Sequence, residues 1–528
     1  MLYVSLRNNG AIVGDLGCFE LQSISQSRPE EAASIAAIQL AVRFQSKYKD
    51  STDVQRLHDS AIADFVRIDG ELVPHRIPRE DINRLRDNIS FMLGRCPCFE
   101  EIGCHARHGP GSSRSHSYRM KDAFYKYRSL PYEMSPRLVP DLSDYIRNDH
   151  RWRDALDYQY RTDLDIPSWS ILPDPEMSHF FVPVRANHVT TVPKDSTKRR
   201  TIAKEPAYSM YVQLALHDLM SRRIKRRTQI DFASISGNHA LARRGSIETG
   251  YLSPATIDLS EASDRLSLDL VADVMPPDWR DILFASRSEY SDVGDRCILL
   301  SKYASMGNGT TFVVQTVVYM AMVMLAHQRA NHPINFGDCL VFGDDIICPS
   351  GVVLHLYRLL ELAGLKVNKE KSFTSGPIRE TCGREFYRGH DVRPVFYRHD
   401  YQHDLQSYLS LRNQLWLWQE RQGLSLQNTL SYLDSYLQET PDVPASLDRS
   451  NGRFTHLLTP LSEGKRFRCL SFVGRARPLP VRNQSDYLFG KLCAGLKHVE
   501  EPHRLLDDTE PGGSVFSLSP TNSSRVRK

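Results

Sequence analysis

Two adjacent carboxylates, Asp344 and Asp345, lie between apolar runs in Cys339-Leu340-Val341-Phe342-Gly343-Asp344-Asp345-Ile346-Ile347-Cys348. Branched and aromatic residues on both sides of a Gly-Asp step predict a tight β-hairpin. Glycine at the first loop position suits a type II′ turn, which needs positive φ there. Both carboxylates are then expected at a polar tip carried by buried strands. Like charges held so close repel, and a hard divalent cation such as Mg²⁺ or Mn²⁺ would relieve them. Taken alone, Gly-Asp-Asp is short enough to be an ordinary hairpin tip.

Five other segments carry related chemistry. Ala255-Thr256-Ile257 predicts a short buried strand ending in Asp258, with Ser260 as N-cap of a following helix that contains Leu266, Leu268, Leu270 and Val271. Lys194, Lys198, Arg199, Arg200 and Lys204 cluster between Pro193 and Pro206. Alternation along a strand there would put Lys198, Arg200 and Lys204 on one face, able to meet a triphosphate. Ser305-Met306-Gly307-Asn308-Gly309-Thr310-Thr311 is a flexible, hydrogen-bonding loop before a helix, Phe312–His327, that is apolar on nearly every side and therefore buried. Small residues such as Gly307 let backbone approach a ligand closely. Leu365-Lys366-Val367-Asn368-Lys369-Glu370-Lys371 offers counter-charge or a proton donor. Arg379–Arg388 predicts a hairpin with a basic face.

Cys96, Cys98, Cys104, His105, His108 and His116 gather soft and imidazole ligands in a short span, but one residue between the first two thiols is wrong for common zinc sites. The adjacent Arg107–Arg114 run is glycine-rich and basic, suited either to phosphate contact or to a surface turn. Aromatic residues from Tyr118 to Trp169 alternate with cations, a pattern that serves single-stranded nucleic acid or simple packing.

The elements that must position these groups come from a chain of ordinary composition. Of 528 residues, 41% are hydrophobic and 25% charged, enough for two or three packed subdomains. The 67 Lys and Arg nearly balance the 63 acids, so an anion-binding surface must come from local clustering. No apolar run approaches the roughly 18 residues of a membrane-spanning helix, and the N-terminus lacks a signal-peptide pattern. Ten scattered cysteines suit reduced thiols better than a disulfide framework. Helices are expected over Pro29–Tyr48, Ile82–Leu93, Tyr208–Arg227, Val352–Leu362, Leu405–Gln419 and Leu424–Leu437, with a disordered tail from about Asp508.

The order of basic strand, strand-end Asp, glycine-rich loop with buried helix, Asp-Asp hairpin, lysine segment and second hairpin resembles the palm of RNA-dependent RNA polymerases. It is most similar to the replicase catalytic subunits of positive-strand RNA bacteriophages, the levivirus group. Asp258-Leu259-Ser260 with Ala262-Ser263-Asp264, Ser305-Met306-Gly307-Asn308-Gly309 and Arg379-Glu380-Thr381-Cys382-Gly383 carry that resemblance. So do Val192-Pro193-Lys194, Ile202-Ala203, Glu205-Pro206 and Gly109-Pro110-Gly111-Ser112. The resemblance is dense from Thr191 to Pro394. It departs at Phe342, where the best-known members carry tyrosine.

The resemblance implies an α+β right-hand polymerase with fingers, palm and thumb, the palm an antiparallel sheet with packed helices. It places an N-terminal region and fingers in 1–250, the palm in 251–394, and a helical thumb and tail in 395–528. It implies template-directed transfer from rNTPs with two Mg²⁺ ions, Mn²⁺ being able to substitute. Asp258 and Asp344 would hold the metals, with Asp345 auxiliary. Asp264 and Asn308 would read the ribose beside Gly307, and Lys194, Lys198 and Arg200 would line the nucleotide path. Lys371 or Lys369 would protonate pyrophosphate, and the sequence does not decide between them. Implied partners are an RNA template and product, the host elongation factors Tu and Ts and a ribosomal protein, in the cytoplasm of a bacterial host with no membrane. The rivals are a reverse transcriptase-like polymerase and a non-catalytic RNA-binding palm protein.

Overall fold

The computed structural model describes residues 30–49, 53–117, 120, 123–163, 180–398 and 405–438, with short pieces at 445–446, 453–454, 470–474, 487–489 and 516–520. Helices and strands interleave in a mixed α/β chain. At its centre lies helix Thr311–Arg329, in which every residue from Val313 to His327 is buried. Its length and apolarity alone would allow it to cross a membrane, but 89% of its most apolar stretch is covered by the rest of the chain. Helices Arg79–Leu93 and Val353–Leu362 pack on it. The apolar periphery expected of Phe312–His327 thus serves as the core.

Three antiparallel strands form the sheet that matters for the site, in the order Pro254–Ile257, Asp345–Pro349, Leu340–Phe342. Asp345 pairs with Phe342, and Ile346 pairs with Val341 on one side and Ile257 on the other. Cys339, Val341, Ile346, Ile347 and Cys348 are all fully buried. Burying each large aliphatic side chain contributes about 1.5–3 kcal/mol. Val341, Ile346 and Ile347 together therefore outweigh the cost, on the order of 2–3 kcal/mol, of holding Asp345 beside other carboxylates with its own pKa near 6.

A four-stranded sheet stands beside it, ordered Arg199–Lys204, Ala186–Pro193, Tyr290–Val293, Arg296–Leu299. The Ala203 amide donates to the Met306 carbonyl at 2.8 Å, which ties the basic strand to the glycine-rich loop. Among the described residues, the buried apolar ones form three clusters. The largest runs from Ile77 to Leu365 with Phe489, and joins helix Ala207–Thr228 to the central helix and sheet. A second joins Ala32–Phe44 to Tyr387–Tyr397 and to Leu411–Leu433. There Trp418 is buried and donates its indole N–H to the Arg393 carbonyl, while Trp416 packs against the same cluster. The third surrounds Phe65, Val189 and Ala203.

Several local expectations change. Ser260 is not an N-cap: it lies in strand Leu259–Ser260, and Glu261, at φ +56°, precedes the short helix Ala262–Arg265. The expected single helix breaks there, and Ser267 caps a second one, Leu268–Val274, by accepting the Leu270 amide. Strand pairing of Leu259–Ser260 with Lys366–Val367 claims the backbone that a longer helix would have used. The 305–311 loop is pinned rather than flexible. Gly309 N donates to Gln213 Oε1 at 2.9 Å, and Thr311 Oγ1 donates to the Ser305 carbonyl at 3.0 Å. Part of the expected disordered tail, Phe516–Pro520, pairs with Leu470–Gly474, and the rest of it lies outside the described residues.

Candidate active site

The hairpin turn is a two-residue loop, Gly343-Asp344, closed by Phe342 and Asp345. Gly343 has φ +64°, and Asp344 is not among the positive-φ residues, which is the type II′ pattern. A Cβ on Gly343 would fall 2.4 Å from the Phe312 ring, so close packing also demands glycine. Phe342 packs edge-on to Phe312 at 4.9 Å and lies 6.2 Å from Phe232. Its role is thus aromatic packing under the turn. Only Asp344 is at the tip. Asp345 is the first residue of its strand, which corrects the expectation of two tip carboxylates.

Register brings Asp258 to this turn. Ile346 faces Ile257, so the next step of the ladder sets Asp345 across from Asp258. Burial raises the Asp258 pKa and the Asp344 charge adds to this, while an Asn368 hydrogen bond and the Lys371 and Lys194 charges oppose it. Burial, then Asp344 and Asp258, push Asp345 up to about 6. The three carboxylates thus share one electrostatic site, but their partners differ. Asp258 Oδ2 accepts from Asn368 Nδ2 at 2.7 Å, and its amide donates to Ser372 Oγ at 3.1 Å. Asp345 is held by Thr381 Oγ1 at 3.4 Å and by the Cys382 amide. Asp344 is exposed.

Cations line the same space. Partial desolvation lowers the Lys194 pKa, as do the Arg200, Lys198 and Lys371 charges. That mutual repulsion shows Lys194, Lys198, Arg200 and Lys371 sharing one region, with Lys194 and Lys371 both felt by Asp258. Arg199 turns the other way, to Thr191 Oγ1 at 2.7 Å and the Thr191 carbonyl at 2.9 Å. Lys371 lies 3.8 Å from Glu380, and Lys369 and Lys371 are both exposed. The structure therefore puts Lys371 in the electrostatic environment of Asp258.

Asp264 pairs at 2.9 Å with Lys302, whose side chain is fully buried. Asn308 Oδ1 accepts from both the amide and the hydroxyl of Thr310 at 2.8 Å. Its Nδ2 is buried with no hydrogen-bond partner. Gly307 has φ +114°, and a Cβ there would meet the Ala203 carbonyl oxygen at 2.2 Å. Sequence reasoning missed Asn368 and Lys302. An amide donor at the end of the lysine strand was a usable signal for the first, and nothing in the local pattern marks the second.

Two expected surfaces are internal instead. Arg379 does not face solvent on a basic hairpin. It is buried and donates to the Pro254 carbonyl at 2.6 Å and the Gly376 carbonyl at 2.8 Å, and burial lowers its pKa to about 10. Among the described residues, no three of His, Cys, Asp and Glu come together to hold a metal as they stand. Around Cys96–His116, His105 binds Asp218 at 3.0 Å, His116 binds Ser113 at 2.8 Å, and His108 packs among Tyr127, Tyr208 and Tyr211. Lys126 donates to the carbonyls of Gly109 and Gly111, and Arg114 pairs with Asp292, so that loop is turned inward. Tyr118 and Trp169 lie outside the described residues. Tyr127 and Trp152 are core residues.

The carboxylates nevertheless fit a hard divalent ion. They are oxygen donors, two of them carry raised pKa values, and cations stand nearby for a phosphate group.

The comparisons with known proteins place this site in a family. The chain belongs to the RNA replicase, beta-chain family, whose model matches residues 77–486. It is 31% identical over 363 residues to the RNA-directed RNA polymerase subunit beta of Qbeta virus (strain MX1), covering 69% of this chain and 56% of that protein. It is 39% identical over 219 residues to the RNA-directed RNA polymerase beta chain of Escherichia phage MS2, covering 42% of this chain and 39% of that one. The chain spans about half the length of the curated relatives it matches. A solved structure described as an RdRp complex aligns with a TM-score of 0.38 and 11% identity over 76% of this chain and 36% of that chain, too little to define a shared fold.

Proposed function

We propose that this chain is an RNA-directed RNA polymerase that copies a positive-strand RNA phage genome from rNTPs. The observation that carries the reading is the meeting of Asp258 with the Gly343-Asp344 turn, beside the Lys194–Lys198–Arg200–Lys371 cations. In this reading residues 1–250 supply an N-terminal region and fingers, 251–394 a palm and 395–528 a helical thumb and tail.

Asp258 and Asp344 would hold two Mg²⁺ ions, with Asp345 supporting them from its bonds to Thr381 and Cys382. Bound there, the ions would supply activation of the attacking 3′-hydroxyl and neutralisation of the leaving pyrophosphate. Lys194, Lys198 and Arg200 bind and orient the triphosphate. Lys371 holds a proton at Nζ within reach of the same charges, and is preferred to Lys369 as the donor to pyrophosphate. Asn368 fixes the rotamer of Asp258. Asp264 and Asn308 read the ribose, with Gly307 letting the Asn308 loop lie flat on the basic strand. Proposed partners are template and product RNA and, by family resemblance, the host elongation factors Tu and Ts and a ribosomal protein, in the host cytoplasm.

The test is single-nucleotide extension on an RNA template with Asp344→Asn. Transfer should be lost while RNA binding persists. Synthesis at the wild-type rate would overturn the assignment.

A further inference from the structure

Lys302 has an unusual setting for a lysine. Its side chain has no exposed surface, its ammonium binds Asp264 Oδ1 at 2.9 Å, and it stands 3.5 Å from the centre of the Phe65 ring. Lysine is almost never fully buried unless paired, because removing the ammonium from water is costly. Its backbone is equally fixed. Asp69, itself buried, accepts the amides of Ser301 and Lys302 at 3.0 and 3.1 Å. Leu268 N donates to the Ser301 carbonyl and Tyr303 N to the Leu266 carbonyl, both at 2.8 Å. Residues 301–303 therefore run antiparallel to 266–268, just beyond Asp264.

The next residue points to the other half of the pair. The buried Tyr303 hydroxyl is 2.8 Å from Thr310 Oγ1, and Thr310 Oγ1 in turn donates to Asn308 Oδ1. The Thr310 backbone N–H also donates to Asn308 Oδ1, and a backbone N–H can only donate. The orientation of the Asn308 amide follows: its oxygen is committed, and its Nδ2 is left buried without a partner. A buried donor left unpaired is unfavourable unless something arrives to accept it. Asp264, by contrast, offers only acceptors, and its side chain remains 17% exposed. One acceptor and one donor match a ribose 2′-hydroxyl, which both donates and accepts.

We propose that Lys302 and Tyr303 are positioning residues for sugar selection, Lys302 locking Asp264 and Tyr303 locking Asn308 through Thr310, so that one dipeptide sets both groups that meet the 2′-hydroxyl. Neither touches the substrate. This inference rests on the polymerase reading above.

The experiment compares rNTP and 2′-dNTP incorporation opposite the same template base by the full chain and by Lys302→Met and Tyr303→Phe. Methionine keeps the length and apolar contacts of the lysine stem, and Asp264 retains its access to water. Tyr303→Phe removes one hydroxyl and nothing else, so it reports even if Lys302→Met fails to fold. For Lys302→Met the ratio of kcat/KM for rNTP to that for dNTP should fall at least about tenfold, and for Tyr303→Phe about threefold, through the rNTP value alone. A structural defect would depress both substrates together. Parallel loss for both substrates, or an unchanged ratio in both variants, overturns the inference while leaving the polymerase reading intact. A wild-type chain that incorporates no rNTP overturns that reading and the inference with it.

Discussion

Two short segments of this chain pack chemistry-bearing side chains closely, and they end in opposite conditions. Around Gly343-Asp344-Asp345 the backbone is satisfied by strand pairing, and the carboxylates are left pressed against one another and against Asp258. Around Cys96–His116 the imidazoles face neighbours outside the cluster rather than one another. His105 has Asp218, His116 has Ser113, and His108 has three tyrosine rings. Burial pushes the Cys96 thiol up to about 12, which makes it a poor source of thiolate. The difference teaches that close spacing of ligands in a sequence means little until it is known whether the fold supplies them with other partners.

That contrast can be broken at its strongest point by Asp258→Asn. Loss of its charge should lower nucleotide transfer on the order of 10³-fold with folding retained, as read by extension assay and thermal melting. A loss below tenfold would mean that Asp258 is not part of the site. Next in size is Gly307→Ala. The substitution forces a Cβ onto the Ala203 carbonyl at a φ that side chains avoid. It should cost about 2–4 kcal/mol, measured by denaturant unfolding, and an unaltered midpoint would contradict the close approach of loop and strand.

The buried imidazole of His108 makes stability depend on pH. Burial holds the His108 pKa well below its ordinary value, and the Lys126 and His116 charges lower it further. The folded state then binds no proton where the unfolded chain does, so stability falls as pH drops below about 6.5, by up to about 1.4 kcal/mol per pH unit. His108→Phe keeps a ring among the tyrosines and should remove that slope between pH 6.5 and pH 5. A slope retained in the variant would assign it to other groups. The smallest effect is expected for Cys98→Ser with Cys104→Ser. Both thiols are exposed, and stability should stay within about 0.5 kcal/mol. A large loss, or a loss reversed by added zinc, would restore the metal reading of that segment.

By itself, the sequence determined the elements whose causes are local. Apolar runs on both sides of Gly343 specify the hairpin, its turn type and its buried flanks, because short branched and aromatic runs around a positive-φ glycine leave few alternatives. The all-round apolar run after Thr311 specifies a core helix for the same kind of reason. The order of motifs carried the family, which the match over residues 77–486 bears out. Tertiary structure decided what depends on partners distant in the chain. Only strand register sets Asp258 across from Asp345, and only the brace at Asn368 fixes its carboxylate. Pairing with Lys366–Val367 overrode Ser260 as a cap. Arg379 reads as a surface cation until the Pro254 and Gly376 carbonyls are seen around it, and Lys302 reads as nothing at all until Asp264 and Phe65 close over it. Charge in a sequence carries no sign of burial. Whether a cation faces water or a carbonyl is settled by which segments pack against it, and that is a property of the assembled fold.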